Sequence, residues 1–149
     1  MTIVIRSARP DERHALEELQ RRASIALPDY REALLANPGA VALPAEHIAH
    51  CVVAERAGER LGFAVVLPRG DGDAELDGLF VEPACWKQGI GRLLVLEAAR
   101  RAASGGAAWL CVIGNPTALG FYLSCGFQRE GEVETQFGKG ILMRVATAP

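Results

Sequence analysis

The residues of this chain best suited to chemistry fall between positions 75 and 127. The segment Val81-Glu82-Pro83-Ala84-Cys85-Trp86-Lys87-Gln88-Gly89-Ile90-Gly91-Arg92 reads as a strand end, a bend, and a helix that opens at two glycines. Amides in the first turn of a helix lack intrahelical acceptors and sit at the positive end of its dipole, so such a junction suits an anion. Glycine lets a phosphate approach the backbone, and Lys87 and Arg92 add formal charge on either side. Two phosphate-binding patterns fail. A dinucleotide fingerprint needs a third glycine where Leu94 stands, and a P-loop needs Lys-Ser/Thr where Arg92-Leu93 follows Gly91. A tight strand-to-helix turn without a ligand stays open as the alternative.

Glu75 and Asp77 lie on the strand before this loop. Strict alternation puts both on the face of Leu79, and a bulge would break that phase. They are either solvated strand carboxylates or groups that favour a cationic partner. After the next strand comes Asn115-Pro116-Thr117-Ala118-Leu119-Gly120-Phe121-Tyr122-Leu123-Ser124-Cys125-Gly126-Phe127. Asn115 suits a helix N-cap, and Ala118, Phe121 and Tyr122 share one side of the helix that follows. Phe121 and Phe127 are expected in the core, and a buried Tyr122 hydroxyl needs a partner. The four cysteines, at 51, 85, 111 and 125, match no zinc or redox spacing and read as free thiols. His14, His47 and His50 have no third ligand nearby in sequence, so no metal site is expected.

These residues need a scaffold, and hydrophobic periodicity supplies one. Strands are expected at residues 3–8, 50–56, 60–67, 74–81, 107–113, 127–134 and 139–146. Helices are expected from Asp11 into the Ala15, Leu16, Leu19, Ala23 stripe, over 29–36, over 89–104 and over 117–124. In the first helix the charged residues, Glu12 among them, are expected to point away from the core. Residues 37–48 read as a loop with one helical turn near 45–48. The order βααβββαβαββ mixes crossovers with hairpins, which calls for a mixed sheet with helices on both faces. Trp109 is expected in the core.

With 149 residues, 50% of them hydrophobic, the chain is expected to form one domain, residues 1–149. A net charge of -2 gives no overall basic footprint for nucleic acid. No apolar run reaches the roughly 18 residues of a membrane span, and the first residues lack a signal-peptide core. A cytoplasmic protein without nucleic-acid or membrane partners is the expectation.

The glycine loop resembles the acetyl-CoA pyrophosphate loop of the GNAT N-acetyltransferases, whose pattern is Arg/Gln-x-x-Gly-x-Gly/Ala after a strand ending in Val-x-Pro. Asn115, Ala118, Phe121, Tyr122, Gly126 and Phe127 match the family's second pattern, and the element order resembles the family over nearly the whole chain. One position departs: Trp86 stands in the place of the Arg or Gln, with Lys87 and Gln88 placed to compensate. The resemblance implies an α/β fold with a central mixed, mostly antiparallel sheet of six to seven strands. It implies acetyl transfer from acetyl-CoA to a primary amine through a tetrahedral intermediate, without a metal. Lys87, Gln88, Gly89, Ile90, Gly91 and Arg92 would hold the pyrophosphate. Leu79 and Val81 would pair with the pantetheine arm, which Asn115 would also contact. A backbone N–H at Leu79 or Phe80 would bind the thioester oxygen. Tyr122 matches the general acid. Glu75 is the first candidate for the base, with Asp77 or a water chain as alternatives. Tyr30, Glu46, His47 and Gln136 lie where acceptor specificity is set. The acceptor is a small-molecule or peptide amine, the mild acidity leaning toward a cationic small molecule. A homodimer is implied by analogy. A non-catalytic acyl-CoA-binding regulatory module is the alternative function.

Overall fold

The computed structural model describes residues 2–148. Strand β1 (Val4–Ser7) leads into α1 (Arg13–Ile25) and α2 (Pro28–Ala36). A meander follows, β2 (Cys51–Arg56), β3 (Glu59–Pro68) and β4 (Ala74–Val81). Then come α3 (Ile90–Ser104), β5 (Trp109–Gly114), α4 (Leu119–Ser124), β6 (Gln128–Thr135) and β7 (Gly138–Ala146). This is the expected order, with bounds within about two residues. The seven strands form one sheet in the order β1-β2-β3-β4-β5-β7-β6. All pairings are antiparallel except β4 with β5.

Prolines account for the short 3₁₀ turns. Pro10, Pro38, Pro83 and Pro116 each open one, because a fixed φ suits a first helical position and the missing N–H has no acceptor there to lose. Residues 37–48, expected as mostly loop, carry two such turns, Pro38–Ala40 and the start of Ala45–His50.

Each face of the sheet has its own core. On one, Leu94, Val95 and Ala98 of α3 pack on Leu110, Val112, Ile141 and Met143. On the other, Leu16 and Leu19 of α1 pack on Val53, Phe63 and Val65. Each fully buried leucine of this kind contributes roughly 1.5–3 kcal/mol. Trp109 departs from its expected core position. It is half-buried, with the Arg144 guanidinium 3.9 Å over its ring, a cation–π pair on the sheet face away from α3.

Glu12 also departs from expectation. Its side chain is fully buried. Arg6 grips it with two bonds of 2.8 Å, Arg60 donates at 2.6 Å and the Arg9 amide at 2.7 Å. Arg6 in turn contacts Glu55. The helical stripe treats Glu12 as an outer position. The neighbouring strands β1 and β3 instead bring two guanidiniums over it. This network fixes the turn that launches α1.

A bulge sets the phase of β4. Val65 pairs with Gly78 and Val66 with Leu76, which leaves Asp77 without a partner on β3. Leu76 and Leu79 therefore both face the α3 core. Glu75 is registered opposite Leu67, on the α1 side. The alternation that would place Glu75 and Asp77 with Leu79 is thus broken by the bulge.

Candidate active site

The site begins where the sheet comes apart. Strands β4 and β5 are in register only at Ala74–Leu110 and Glu75–Cys111. Beyond that point they diverge, while β4 stays paired with β3 to Val81 and β5 with β7 to Gly114. Two strand edges therefore face each other across an open wedge.

Register decides which backbone groups line it. The Glu82 amide donates to the Leu61 carbonyl at 2.8 Å. In an antiparallel ladder bonded pairs alternate with non-bonded ones, so Phe80 points its amide toward Phe63 of β3. Leu79 and Val81 turn their N–H and C=O groups into the wedge. Of the two residues considered for the thioester oxygen, Leu79 is the one whose amide faces the opening.

The mouth of the wedge is the glycine loop. A 3₁₀ turn, Pro83–Cys85, bends the chain away from β4. Lys87 (φ +63°) and Gly89 (φ +84°) are both left-handed, and α3 starts directly after. Left-handed residues next to a helix start can turn backbone amides toward one concavity, an arrangement that binds anions. A left-handed lysine costs roughly 1–2 kcal/mol, the kind of strain that collects at ligand loops. Lys87, Gln88 and Gly89 are exposed. Ile90 is buried in the α3 core, so only its backbone can serve a ligand. The Arg92 side chain turns away and donates to the Ser124 carbonyl at 2.8 Å, capping α4. Gly91 is needed for packing: a Cβ there would lie 3.1 Å from the Phe121 ring and 3.9 Å from Val81. That contact joins α3, α4 and the end of β4.

Beside Gly114, at the end of β5, stands Tyr122, 7% exposed, its ring edge-on to Phe121 and Phe127 at 5.1 and 5.2 Å. Burial pushes its phenol above the ordinary value, with smaller upward contributions from Cys125 and Tyr30. Asn115 caps the turn before α4: its Oδ1 accepts from the Ala118 amide at 2.8 Å and the Thr117 hydroxyl at 2.6 Å. Its side-chain NH₂ is the part left for a ligand.

Sequence reasoning missed Gly114. A Cβ there would lie 2.9 Å from Met143 Cε and 3.1 Å from Tyr122 Cε2. Its place directly before Asn115 was the available signal. Gly114→Ala should displace the phenol by a few tenths of an ångström. The expected result is a kcat roughly tenfold lower with cosubstrate affinity unchanged, read by steady-state kinetics beside calorimetry.

Carboxylates and aromatics lie on the α1 and α2 side of the sheet near the wedge. Glu75, at the vertex of the wedge, borders a groove with Arg69, Cys111 and Arg144. Asp77 Oδ2 lies 3.9 Å from His47 Nδ1. Tyr30 of α2 packs on Phe137, at the tip of the β6–β7 hairpin, with centroids 5.3 Å apart. Glu46 is exposed on the turn that carries His47, and Gln136 is exposed beside Phe137. Arg22 of α1 holds Glu82 by two bonds of 3.0 and 2.7 Å, which ties α1 to the root of the glycine loop. The four cysteines are free thiols. Burial lifts the Cys51 thiol to about 12, with Asp77 adding to the rise, which keeps it inert. Among the described residues no three His, Cys, Asp or Glu are grouped to hold a metal ion, and no helix is long and apolar enough to cross a membrane.

Solved structures share this architecture. The PaiA N-acetyltransferase of Thermoplasma acidophilum, in complex with coenzyme A, superimposes with a TM-score of 0.78 at 21% identity, over 98% of this chain and 99% of that one. The ribosomal-protein-S18-alanine N-acetyltransferase of Escherichia coli gives a TM-score of 0.71 at 22% identity, over 99% and 96%. The N-acetylglutamate synthase of Neisseria gonorrhoeae, complexed with coenzyme A and N-acetyl-glutamate, gives 0.76 at 18%, over all of this chain and 36% of that one. No curated protein matches the sequence. At these identities the likeness establishes the fold. Residues 13–127, most of the chain, match the family model described as Acetyltransferase (GNAT) family, and the chain belongs to that family of N-acetyltransferases.

Proposed function

We propose that the protein transfers the acetyl group of acetyl-CoA to a primary amine by direct attack through a tetrahedral intermediate. The observation that carries this reading is the wedge between β4 and β5, with the Leu79 and Val81 backbone turned to its open edge and the loop of left-handed Lys87 and Gly89 at its mouth. Those groups fit a ligand that has amides along its arm and phosphates at its end. Acetyl-CoA, when bound, supplies the activated thioester.

The amides of Gln88, Gly89, Ile90, Gly91 and Arg92 hold the pyrophosphate, with Lys87 adding charge. Leu79 and Val81 pair with the arm, and the Asn115 NH₂ reaches it. The Leu79 amide is preorganised toward the oxygen that gains charge during attack. Tyr122 donates to the departing sulfur.

An acceptor amine with a pKa near 10 arrives as ammonium and must lose a proton. Glu75 is the base, directly or through water, and Asp77 with His47 attracts the cation. The Tyr30–Phe137 pair supplies an aromatic wall suited to a small cationic amine. Glu75→Gln should lower kcat/KM roughly 100-fold, and Asp77→Asn less than about 5-fold. An Asp77→Asn loss as large as that of Glu75→Gln would reassign the base.

Calorimetric titration with acetyl-CoA, followed by an amine panel read by CoA release, tests the whole reading. A Kd in the micromolar range, about -8 kcal/mol, is expected. Absence of binding up to about 1 mM, or binding without turnover on any amine, would leave a regulatory acyl-CoA-binding module in its place.

A further inference from the structure

The Trp86 indole Nε1–H donates to the Val81 carbonyl oxygen at 2.8 Å. That oxygen belongs to the edge of β4 that faces the wedge. The backbone amide of Trp86 donates to the Pro83 carbonyl at 3.3 Å. Trp86 is therefore held at both its backbone and its ring tip, while 39% of the residue stays exposed. Directly after it the chain enters the left-handed Lys87. Such a conformation persists only where its surroundings impose it.

We propose that Trp86 is a positioning residue whose indole N–H fastens the anion loop to the open edge of β4, at the position that the family's pattern gives to Arg or Gln. The proposal rests on the cosubstrate site described above. A loop free to pivot about Glu82 would present its amides at varying distances from the strand edge. A ligand that touches both would then have to order the loop on binding, at a cost in affinity. The indole bond sets that distance beforehand. A carbonyl oxygen has two lone pairs, so Val81 keeps one acceptor site toward the wedge, and the Val81 amide and both Leu79 groups stay free. The device acts on binding, because the reacting atoms lie deeper in the wedge, near Leu79 and Tyr122.

Two variants separate the N–H from the ring. Trp86→Phe keeps an aromatic ring and removes the donor. Trp86→Gln keeps a donor and removes the ring. Both are titrated with CoA by calorimetry and assayed for turnover in the full chain. For Trp86→Phe, the Kd for CoA and the KM for acetyl-CoA should rise together by about 3- to 10-fold, the scale of one lost hydrogen bond, with kcat unchanged. Trp86→Gln should stay within about 2-fold of the wild type. Tighter CoA binding by Trp86→Phe would show that the indole competes with the arm for Val81, and would overturn the proposal. So would an unchanged Trp86→Phe, or a Trp86→Gln weaker than Trp86→Phe, which would make ring packing the cause. A wild-type protein that does not bind CoA would overturn the cosubstrate reading with it, so the two failures are distinguishable.

Discussion

Tyr122→Phe should cut turnover roughly 10²- to 10⁴-fold and leave acetyl-CoA affinity within about 2-fold of the wild type. The substitution removes one oxygen and keeps the ring, so the edge contacts with Phe121 and Phe127 and the close fit against Gly114 survive. What disappears is the phenol O–H, the donor proposed for the departing sulfur. A CoA thiol has a pKa near 8.5, below the tyrosine value of about 10, so in water the phenol would not give up its proton to a free thiolate. Inside the wedge the departing thiolate loses its water, so a hydrogen bond from the phenol O–H stabilises it as the carbon–sulfur bond breaks, without the phenol having to ionise. Because burial, and then Cys125 and Tyr30, hold the phenol above its ordinary value of 10, it stays protonated through the neutral range. Activity dependent on a protonated Tyr122 is therefore fully present below pH 10 and is lost only as the pH rises through that elevated value. Any fall in rate between pH 7 and 9 must come from another group. The measurements are CoA-release rates against pH for both proteins, with calorimetry for affinity. A Tyr122→Phe protein with kcat within about 3-fold of the wild type, or with its whole loss in Kd, would remove Tyr122 from the chemistry.

Glu12→Gln should be the most damaging change away from the wedge, lowering stability by about 2–4 kcal/mol. In a chain of this length that is a fall in Tm of roughly 5–15 °C. Breaking one partner of a buried ion pair leaves the other desolvated and unpaired. Here the partners are Arg6, 20% exposed, and Arg60, 34% exposed, which tempers the cost. The glutamine keeps the shape, yet its NH₂ would meet donors. The pH dependence follows from the direction of the shift. The bonds from Arg6, then from the Arg9 amide and Arg60, outweigh burial and hold the Glu12 carboxyl far below the usual range. Its contribution is fully present above the unfolded value near 4.5 and is lost as the pH falls through the folded one. The stability gap between the two proteins should be constant from pH 8 to about 5 and shrink below about 4.5, measured by urea unfolding. A gap that widens toward low pH, or one below about 0.5 kcal/mol at pH 7, would show that the network is only a solvated surface cluster.

Much of the site was legible in the sequence because it depends on neighbours along the chain. The two glycines, the proline after the strand and the apolar stripe of the next helix specify a strand-turn-helix junction locally, and α3 begins at Ile90, one residue after the expected Gly89, which caps it in a left-handed conformation. Asn115 caps its turn for the same reason: the donor it satisfies is three residues away. Element order followed from periodicity and turn residues, which are also local.

Contacts between distant segments set the rest. Alternation within β4 cannot foresee a bulge, because the bulge exists only in register with β3, and it turned Glu75 away from Leu79. The helical stripe marks Glu12 as outward. The guanidiniums that bury it come from strands β1 and β3, and Arg60 is 48 residues along the chain. Trp86 reads as a lost arginine until the β4 edge supplies an acceptor for its indole. The wedge itself arises because β4 and β5 follow different partners after Glu75 and Cys111. Local residue order thus specifies which elements form and which reactive residues end them. Which faces and backbone groups meet is a property of the packed fold, since hydrogen-bond register and buried charge are settled between segments far apart in the chain.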